Sequence, residues 1–257
     1  MALGNRGDNI MIFITGDTHG DFSRFFYTEL EDHGVLTRDD FVIICGDFGG
    51  IWLGDERDNE RVDPLEELPY TVLFVSGNHE NFEALAKYPV VDWHGGKVQF
   101  IRPNVIHLMR GQIFDIDGHS FFTMGGAASH DISGGILELD DPEFEMKYWL
   151  LRRNREPFRI NHLTWWKEEM PSDEEYEEAI RNLEAHNWTV DYIITHCGPN
   201  SVIDIYSKKF YGHDRLTDFL EEVRQKTQYK HWYLGHYHDR VDIGNHSLLY
   251  ETIVDLK

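Results

Sequence analysis

Short apolar runs recur in the N-terminal third of the chain, and each ends in a glycine and polar residues. Residues 10–15 run into Gly16-Asp17-Thr18-His19-Gly20, residues 41–45 into Gly46-Asp47, and residues 71–75 into Ser76-Gly77-Asn78-His79. Continuous apolar runs of this length indicate strands buried on both faces. The polar stretches between them, such as residues 22–31 and 59–68, have room for helices. Strands alternating with helices predict an α/β sheet with parallel character.

The middle of the chain changes rhythm. Apolar runs at 105–109, 112–116 and 120–124 are separated by Arg110-Gly111 and Asp117-Gly118. Asp-Gly tolerates positive φ at both positions, so antiparallel strands are expected here. Residues 128–171 then carry Gly134-Gly135, an acidic patch over 138–145 and a basic-aromatic stretch over 147–159. They read as an insertion with a helix near 143–152. Ser172-Asp-Glu-Glu175 is a capping box that opens a helix to about Asn187, with further glutamates at 174, 177 and 178 suited to the positive end of the macrodipole. A strand at 190–195, a helix at 213–225 and a strand at 231–234 follow. A closing hairpin is expected to pair 241–243 with 248–253 across Gly244-Asn245. No repeat or linker interrupts this order, so residues 1–257 read as one domain.

Composition narrows the class. With 41% hydrophobic and 14% aromatic residues the chain has enough apolar surface to fold. The 24 Lys and Arg against 46 Asp and Glu give a net charge of −22, which argues against long nucleic acids and anionic membranes as partners. No run approaches the roughly 18 apolar residues of a membrane span, and residues 1–9 are polar, without the apolar core of a signal peptide. Cys45 and Cys197 each close an apolar run and read as small buried thiols of a cytoplasmic protein.

The chemistry gathers where apolar runs end. Asp17-x-His19, Gly46-Asp47, Gly77-Asn78-His79-Glu80, His196 and Gly235-His236-x-His238 all occupy such positions. In open α/β sheets ligands bind beyond the carboxyl ends of strands, so neighbouring strands would bring all five motifs to one edge. On extended backbone, residues separated by one share a side, which would align Asp17 with His19 and His236 with His238. The adjacent glycines would let the backbone turn sharply and approach a metal or phosphate. Two Asp, one Asn and four His offer oxygen and imidazole nitrogen without thiolate. That set suits two divalent ions of the Mn, Fe, Co, Ni or Zn kind if one carboxylate bridges. Such a site is locally positive inside an acidic chain, and favours a compact phosphate over a large polyanion.

In this order, Gly-Asp-x-His-Gly, Gly-Asp, Gly-Asn-His-Glu, His and Gly-His-x-His resemble the calcineurin-like metallophosphoesterase superfamily, over residues 16–238. The resemblance implies a four-layer α/β/β/α sandwich with two central mixed sheets. It implies one metal held by Asp17, His19 and His238, a second by Asn78, His196 and His236, and Asp47 as the bridge. His79 would face the substrate as general acid and transition-state stabiliser. Chemistry then supplies the reaction: a water bridging two cations loses its proton near neutral pH and attacks phosphorus in line. The expected activity is a manganese-type, dinuclear hydrolysis of a small phosphomonoester or phosphodiester, with a nucleotide as the leading candidate.

The second motif departs from many relatives, including Ser/Thr protein phosphatases, which follow it with Asp-Arg. Here it reads Gly46-Asp47-Phe48-Gly49-Gly50-Ile51-Trp52. The orienter of His79 and the cation that grips phosphate are therefore unassigned. Arg152, Arg153, Arg155 and Arg159 in the insertion are candidates for the cation, and Arg159 is the first choice. A surface face paired with the acidic patch is the competing reading. His130, after Gly125-Gly126, is a candidate wall of the site. Trp149, Trp165 and Trp166 read as packing residues. A phosphoprotein phosphatase, a non-catalytic interaction module and an amide or lactam hydrolase are the alternative functions.

Overall fold

The computed structural model describes residues 10–26, 30 and 35–256. Its first sheet contains β1 (Ile12–Thr15), β2 (Phe41–Ile44), β3 (Thr71–Phe74), β4 (Val90–Trp93), β5 (Gly96–Arg102) and β6 (Val105–Leu108). β1, β2, β3 and β6 run parallel, and β5 and β4 complete one edge antiparallel. The second sheet contains β7 (Gln112–Ile116), β8 (His119–Met124), β11 (Tyr192–Thr195), β12 (His231–Leu234), β13 (Val241–Ile243) and β14 (His246–Leu248). Here β8, β11, β12 and β14 are parallel, with β7 and β13 antiparallel at the edges. β9 (Ile136–Leu137) and β10 (Arg159–Ile160) form a separate parallel pair, and β15 (Val254–Asp255) returns to β1.

Three hydrophobic clusters give four layers. Ile12, Ile43, Leu73, Phe114, Phe121, Ile194 and Tyr233 fill the space between the sheets. Val42, Phe74, Val62 and Leu65 pack α1 (Asn59–Glu66) and the short α2 (Phe82–Leu85) on the outer face of the first sheet. On the second, Phe122, Ile193 and Trp232 pack against Ala179 and Leu183 of α4 (Asp173–Ala185), Ile203 of α5 (Asn200–Ser207) and Leu220 of α6 (Arg215–Lys226). α3 (Phe144–Asn154) lies between β9 and β10 in sequence and buries none of its residues. The fold is the α/β/β/α sandwich that the resemblance implies.

Several expectations need correcting. Arg110-Gly111 is a crossover: β6 ends in one sheet and β7 begins in the other, while Asp117-Gly118 does close the β7–β8 hairpin. The final hairpin pairs β13 with residues 246–248, because Leu249 onward turns back toward β1. The β4–β5 hairpin and α5 are additional elements. Within 22–31, Ser23–Phe25 is a single 3-10 turn, and residues 27–29 and 31 lie outside those described, as do residues 1–9. The capping box at Ser172 and Glu175 forms as expected. Cys45 and Cys197 are free and buried. Trp166 is buried, but Trp149 is 64% exposed on α3 and is no core residue.

His107, on β6, is buried, donates from Nδ1 to Gln99 Oε1 at 2.8 Å, and stacks on Phe74. Burial pushes its pKa down to about 3. The unfolded chain takes up this proton below about pH 6.5, whereas the folded chain does not, so stability present above pH 6.5 is lost as pH falls toward 3. His107 alone is expected to remove about 2 kcal/mol of stability between pH 7 and pH 5. Urea unfolding at both pH values should show that increment, and His107→Gln, which keeps a donor for Gln99, should lack it.

Candidate metal centre

The carboxyl ends of β1, β2 and β3 from one sheet and of β11 and β12 from the other meet at one end of the sandwich. Asp17, Asp47, Asn78, His196 and His236 follow those strands directly or within a few residues. The five motifs therefore converge, but not on extended backbone. His19, Asp47, His236 and His238 all have positive φ, at 49°, 50°, 69° and 49°. Left-handed backbone is costly for non-glycine residues and is retained where surrounding structure over-determines it. The chain turns sharply at each strand end, and the turn rather than a two-residue repeat aims each side chain.

Gly20 and Gly46 turn the chain as expected, with φ of 76° and 95°, and the glycines also leave room for the donors. A Cβ on Gly77 would sit 2.0 Å from Asp47 Oδ1, one on Gly235 2.2 Å from Asp17 Oδ1, and one on Gly46 2.2 Å from the His196 ring. Their role is to let the acidic and imidazole side chains pass close to neighbouring backbone.

The carboxylates are fixed by main-chain donors. Asp47 Oδ1 accepts the His79 N–H at 2.7 Å, and Asp17 Oδ1 accepts the His236 N–H at 2.9 Å. Arg24 donates to the Asp17 carbonyl at 2.8 Å and to that of Tyr250 at 2.7 Å, tying the first motif to the last segment. Glu80, fully buried, accepts from the N–H groups of Phe48 and Gly49 and so braces the Asp47 loop. Burial and the nearby Asp47 charge push its pKa up to about 8.

The imidazoles point into the same space. His196 Nδ1 donates to the Cys45 carbonyl at 2.7 Å, which leaves Nε2 facing Asp47 Oδ1 at 3.3 Å and Asn78 Oδ1 at 3.2 Å. Fixing one ring nitrogen in this way sets the tautomer of the other. Burial opposes charge on His196, but Asp47 and Asp17 outweigh it and raise its pKa to about 9. Asp47 is driven far below the carboxylate range by His196, His79 and His19, against its own burial. His236 stays neutral because burial, His196 and His130 all lower it.

The donor set fits a cation. His19 Nε2 and His238 Nε2 face each other at 3.0 Å, with His238 Nε2 also 3.1 Å from Asp17 Oδ2, a fully buried oxygen that accepts no well-aligned hydrogen bond. His19, Asp17 and His238 form one group of close ligand atoms, and Asp17, Asp47 and His196 form a second. Asp17, Asp47 and Glu80 are essentially inaccessible, and no lysine or arginine pairs with their carboxylates among the described residues. Buried carboxylates of this kind are satisfied by a metal or by protons, and the N,O donor set suits a borderline divalent ion.

Residues from the segment over 129–169 reach this centre. Asn78 Nδ2 donates to Ser129 Oγ at 3.3 Å, and Ser129 Oγ donates to the buried Glu169 at 2.6 Å. This chain holds the Asn78 amide with its oxygen toward His196. Arg159 Nη2 lies 3.4 Å from His79 Nε2, and its guanidinium is gripped by both oxygens of Asp131. Arg159 thus pairs with Asp131 and not with the acidic patch over 138–145. Arg152 lies over Tyr148 of its own helix, away from the centre. His130 does line the centre, with Nε2 2.6 Å from His236 Nε2. His79 itself is lowered by burial and by Arg159, with Asp47 opposing. Sequence reasoning left Ser129, Asp131 and Glu169 without roles. Each is an ordinary polar residue in an irregular segment, and no local pattern marks it.

Two cavities flank the centre and share His79. One, of about 340 Å³, is lined by Asp47, Asn78, His130, Phe210, Tyr211 and Tyr237 among others. The other, of about 250 Å³, is lined by His19, Gly49, Trp52 and Arg61.

A family model described as calcineurin-like phosphoesterase matches residues 10–240. No curated protein matches the chain significantly. Two variants test the geometry of the centre. Ser129→Ala is expected to weaken divalent-metal affinity by about 10- to 100-fold while leaving the circular dichroism spectrum unchanged. Gly77→Ala, whose Cβ collides with Asp47, should lose tightly held metal altogether. Elemental analysis after dialysis against graded free metal reads both.

Proposed function

The chain belongs to the calcineurin-like phosphoesterase family of metal-dependent phosphoesterases, and from that premise we propose that it hydrolyses a small phosphomonoester or phosphodiester at a dinuclear centre. The observation that carries this reading is the cluster of unneutralised donors. Asp17, His19 and His238 converge as one set. His196 Nε2 meets Asn78 Oδ1 at 3.2 Å and Asp47 Oδ1 at 3.3 Å, and the His236 ring lies 5.0 Å from that of His196. In this reading Asp17, His19 and His238 would hold one ion, Asn78, His196 and His236 would hold the other, and Asp47 would serve both. Manganese is the favoured metal, because the oxygen and imidazole donors without thiolate suit it. Bound divalent ions supply Lewis-acid neutralisation of the phosphoryl oxygens and a water acidic enough to attack at neutral pH.

The protein's own groups then divide the remaining work. Arg159 stands beside His79, and Asp131 fixes its guanidinium plane. Both side chains are available to one phosphoryl group, Arg159 as a charge-assisted donor. His79 binds the same group through Nε2. In the free protein its lowered pKa keeps it neutral, and a phosphate dianion raises it toward the protonated form that a general acid needs. His130 adds a neutral imidazole to the wall beside His236.

The wider cavity supports an aromatic ester group. Phe210, 82% exposed, and Tyr211 line it next to Asn78 and His236. Aromatic rings at the mouth of a phosphate site suit a nucleobase, so a nucleotide is the leading substrate. The acidic surface keeps long nucleic acids away. No helix among the described residues is long and apolar enough to cross a membrane, and we place the activity in the cytoplasm.

Hydrolysis of p-nitrophenyl phosphate and bis-p-nitrophenyl phosphate, after metal removal and restoration with Mn, Ni, Zn or Mg, tests this reading. Activity should require metal and disappear with Asp47→Ala. His79→Ala should lower kcat by about 10² to 10⁴, and Arg159→Ala should raise KM about tenfold. Metal-loaded protein that cleaves no phosphoester would overturn it.

A further inference from the structure

Building on the phosphoesterase reading, we propose that the cavity between Trp52 and Arg61 is a subsite for a second anionic group of the substrate. That group is a carboxylate or phosphate carried beyond the ester phosphorus. The cavity of about 250 Å³ opens from His19 and His79, so it is continuous with the metal centre while sharing only His79 with the aromatic cavity. A substrate whose phosphorus sits at the centre can therefore extend into it.

Arg61 is the cation there. It projects from α1, and its polar contact is a long one, 3.5 Å to the Gly49 carbonyl. Its neighbours are paired: Arg57 with Asp55, and Arg102 with Asp63. Arg159, the arginine on the far side of His79, is held by Asp131 and is already assigned to the ester phosphate. Arg61 has no carboxylate partner among the described residues, in a chain whose acidic groups outnumber its basic ones 46 to 24. Where carboxylates are in such excess, an arginine at a cleft without one is available to an incoming anion. Its planar guanidinium can take two oxygens of a carboxylate or phosphate at once. Trp52 gives the cavity a firm wall, since its ring stands edge-on to the buried Trp166 at 5.6 Å. The subsite thus selects phosphoesters bearing two separated anionic groups.

The test compares phenyl phosphate with its 4-carboxymethyl and 4-phosphonomethyl derivatives, each also as its methyl diester, on the manganese-restored full-length protein. Wild type should show a KM about tenfold lower for the derivatives. The better of the two identifies the anion. Arg61→Ala should erase the preference and Arg61→Glu should reverse it. Arg61 is exposed, so neither change threatens folding. Equal KM values for the three compounds in wild type would overturn the subsite, as would a preference that survives both variants. Failure to hydrolyse any of them would instead overturn the phosphoesterase reading on which the subsite rests.

Discussion

Asp17, Asp47 and Glu80 lie out of solvent at the point where two sheets end, and among the described residues no lysine or arginine pairs with their carboxylates. Buried negative charge of this density is tolerable only with compensation. The compensation built into the fold is partial: main-chain N–H groups hold one oxygen of each aspartate, and imidazoles surround the others. His196 shows how much positive charge the site calls for, since two carboxylates raise it to about 9 despite complete burial. The remaining arrangement follows from that demand. Glycines stand where any Cβ would displace a donor, and left-handed residues turn each strand end inward. The two sheets must meet in register at this edge because each contributes donors that the other cannot.

Division of labour between the sandwich and the segment over 129–169 follows. The strand ends supply the cage for cations. The segment supplies groups that act on the cage from outside: Ser129 and Glu169 orient Asn78, Asp131 holds Arg159 beside His79, and Trp166 backs Trp52. Glu169 is itself buried and its pKa is raised by that burial, so its hydrogen bonds to Ser129 are what stabilise its charged form. Arg159, distant in sequence from the second motif, stands beside His79 because the fold closes that distance.

What was legible in the sequence reflects how local the causes are. A strand buried on both faces leaves an apolar run, so β1, β2, β3, β11 and β12 were visible, together with the donors at their ends. The capping box at Ser172 was visible because reciprocal bonds span three residues. The β4–β5 hairpin was not, because Val90 and Val91 stand on an edge, 50% and 40% exposed, and alternate poorly. The role of Arg110-Gly111 was misread because a crossover and a hairpin use the same turn residues; what distinguishes them is which sheet receives the next strand, a tertiary matter. The backbone at His19 and His238 was misread for a related reason. A spacing of two suggests extended geometry only inside a strand, and these residues lie beyond the strand ends. Ser129, Asp131, Glu169 and Arg61 act across long sequence separations, and no short-range pattern encodes such contacts.

The position of His79 links the centre to its two cavities. It is the side chain that both cavities share, its backbone N–H is held by Asp47, and its ring is flanked by His19 and Arg159. The main chain of a residue so placed cannot shift without breaking the turn that also aims Asp47. Its ring can, however, meet an oxygen approaching from either cavity. Discrimination between substituents therefore falls to the cavity walls, aromatic on one side and cationic on the other. In the proposed reaction, proton transfer stays with one imidazole whose main chain is held by Asp47. In the proposed reaction, the excess acidic charge over the rest of the molecule would leave the metal-loaded cleft as the place where a small, multiply charged phosphoester meets positive potential.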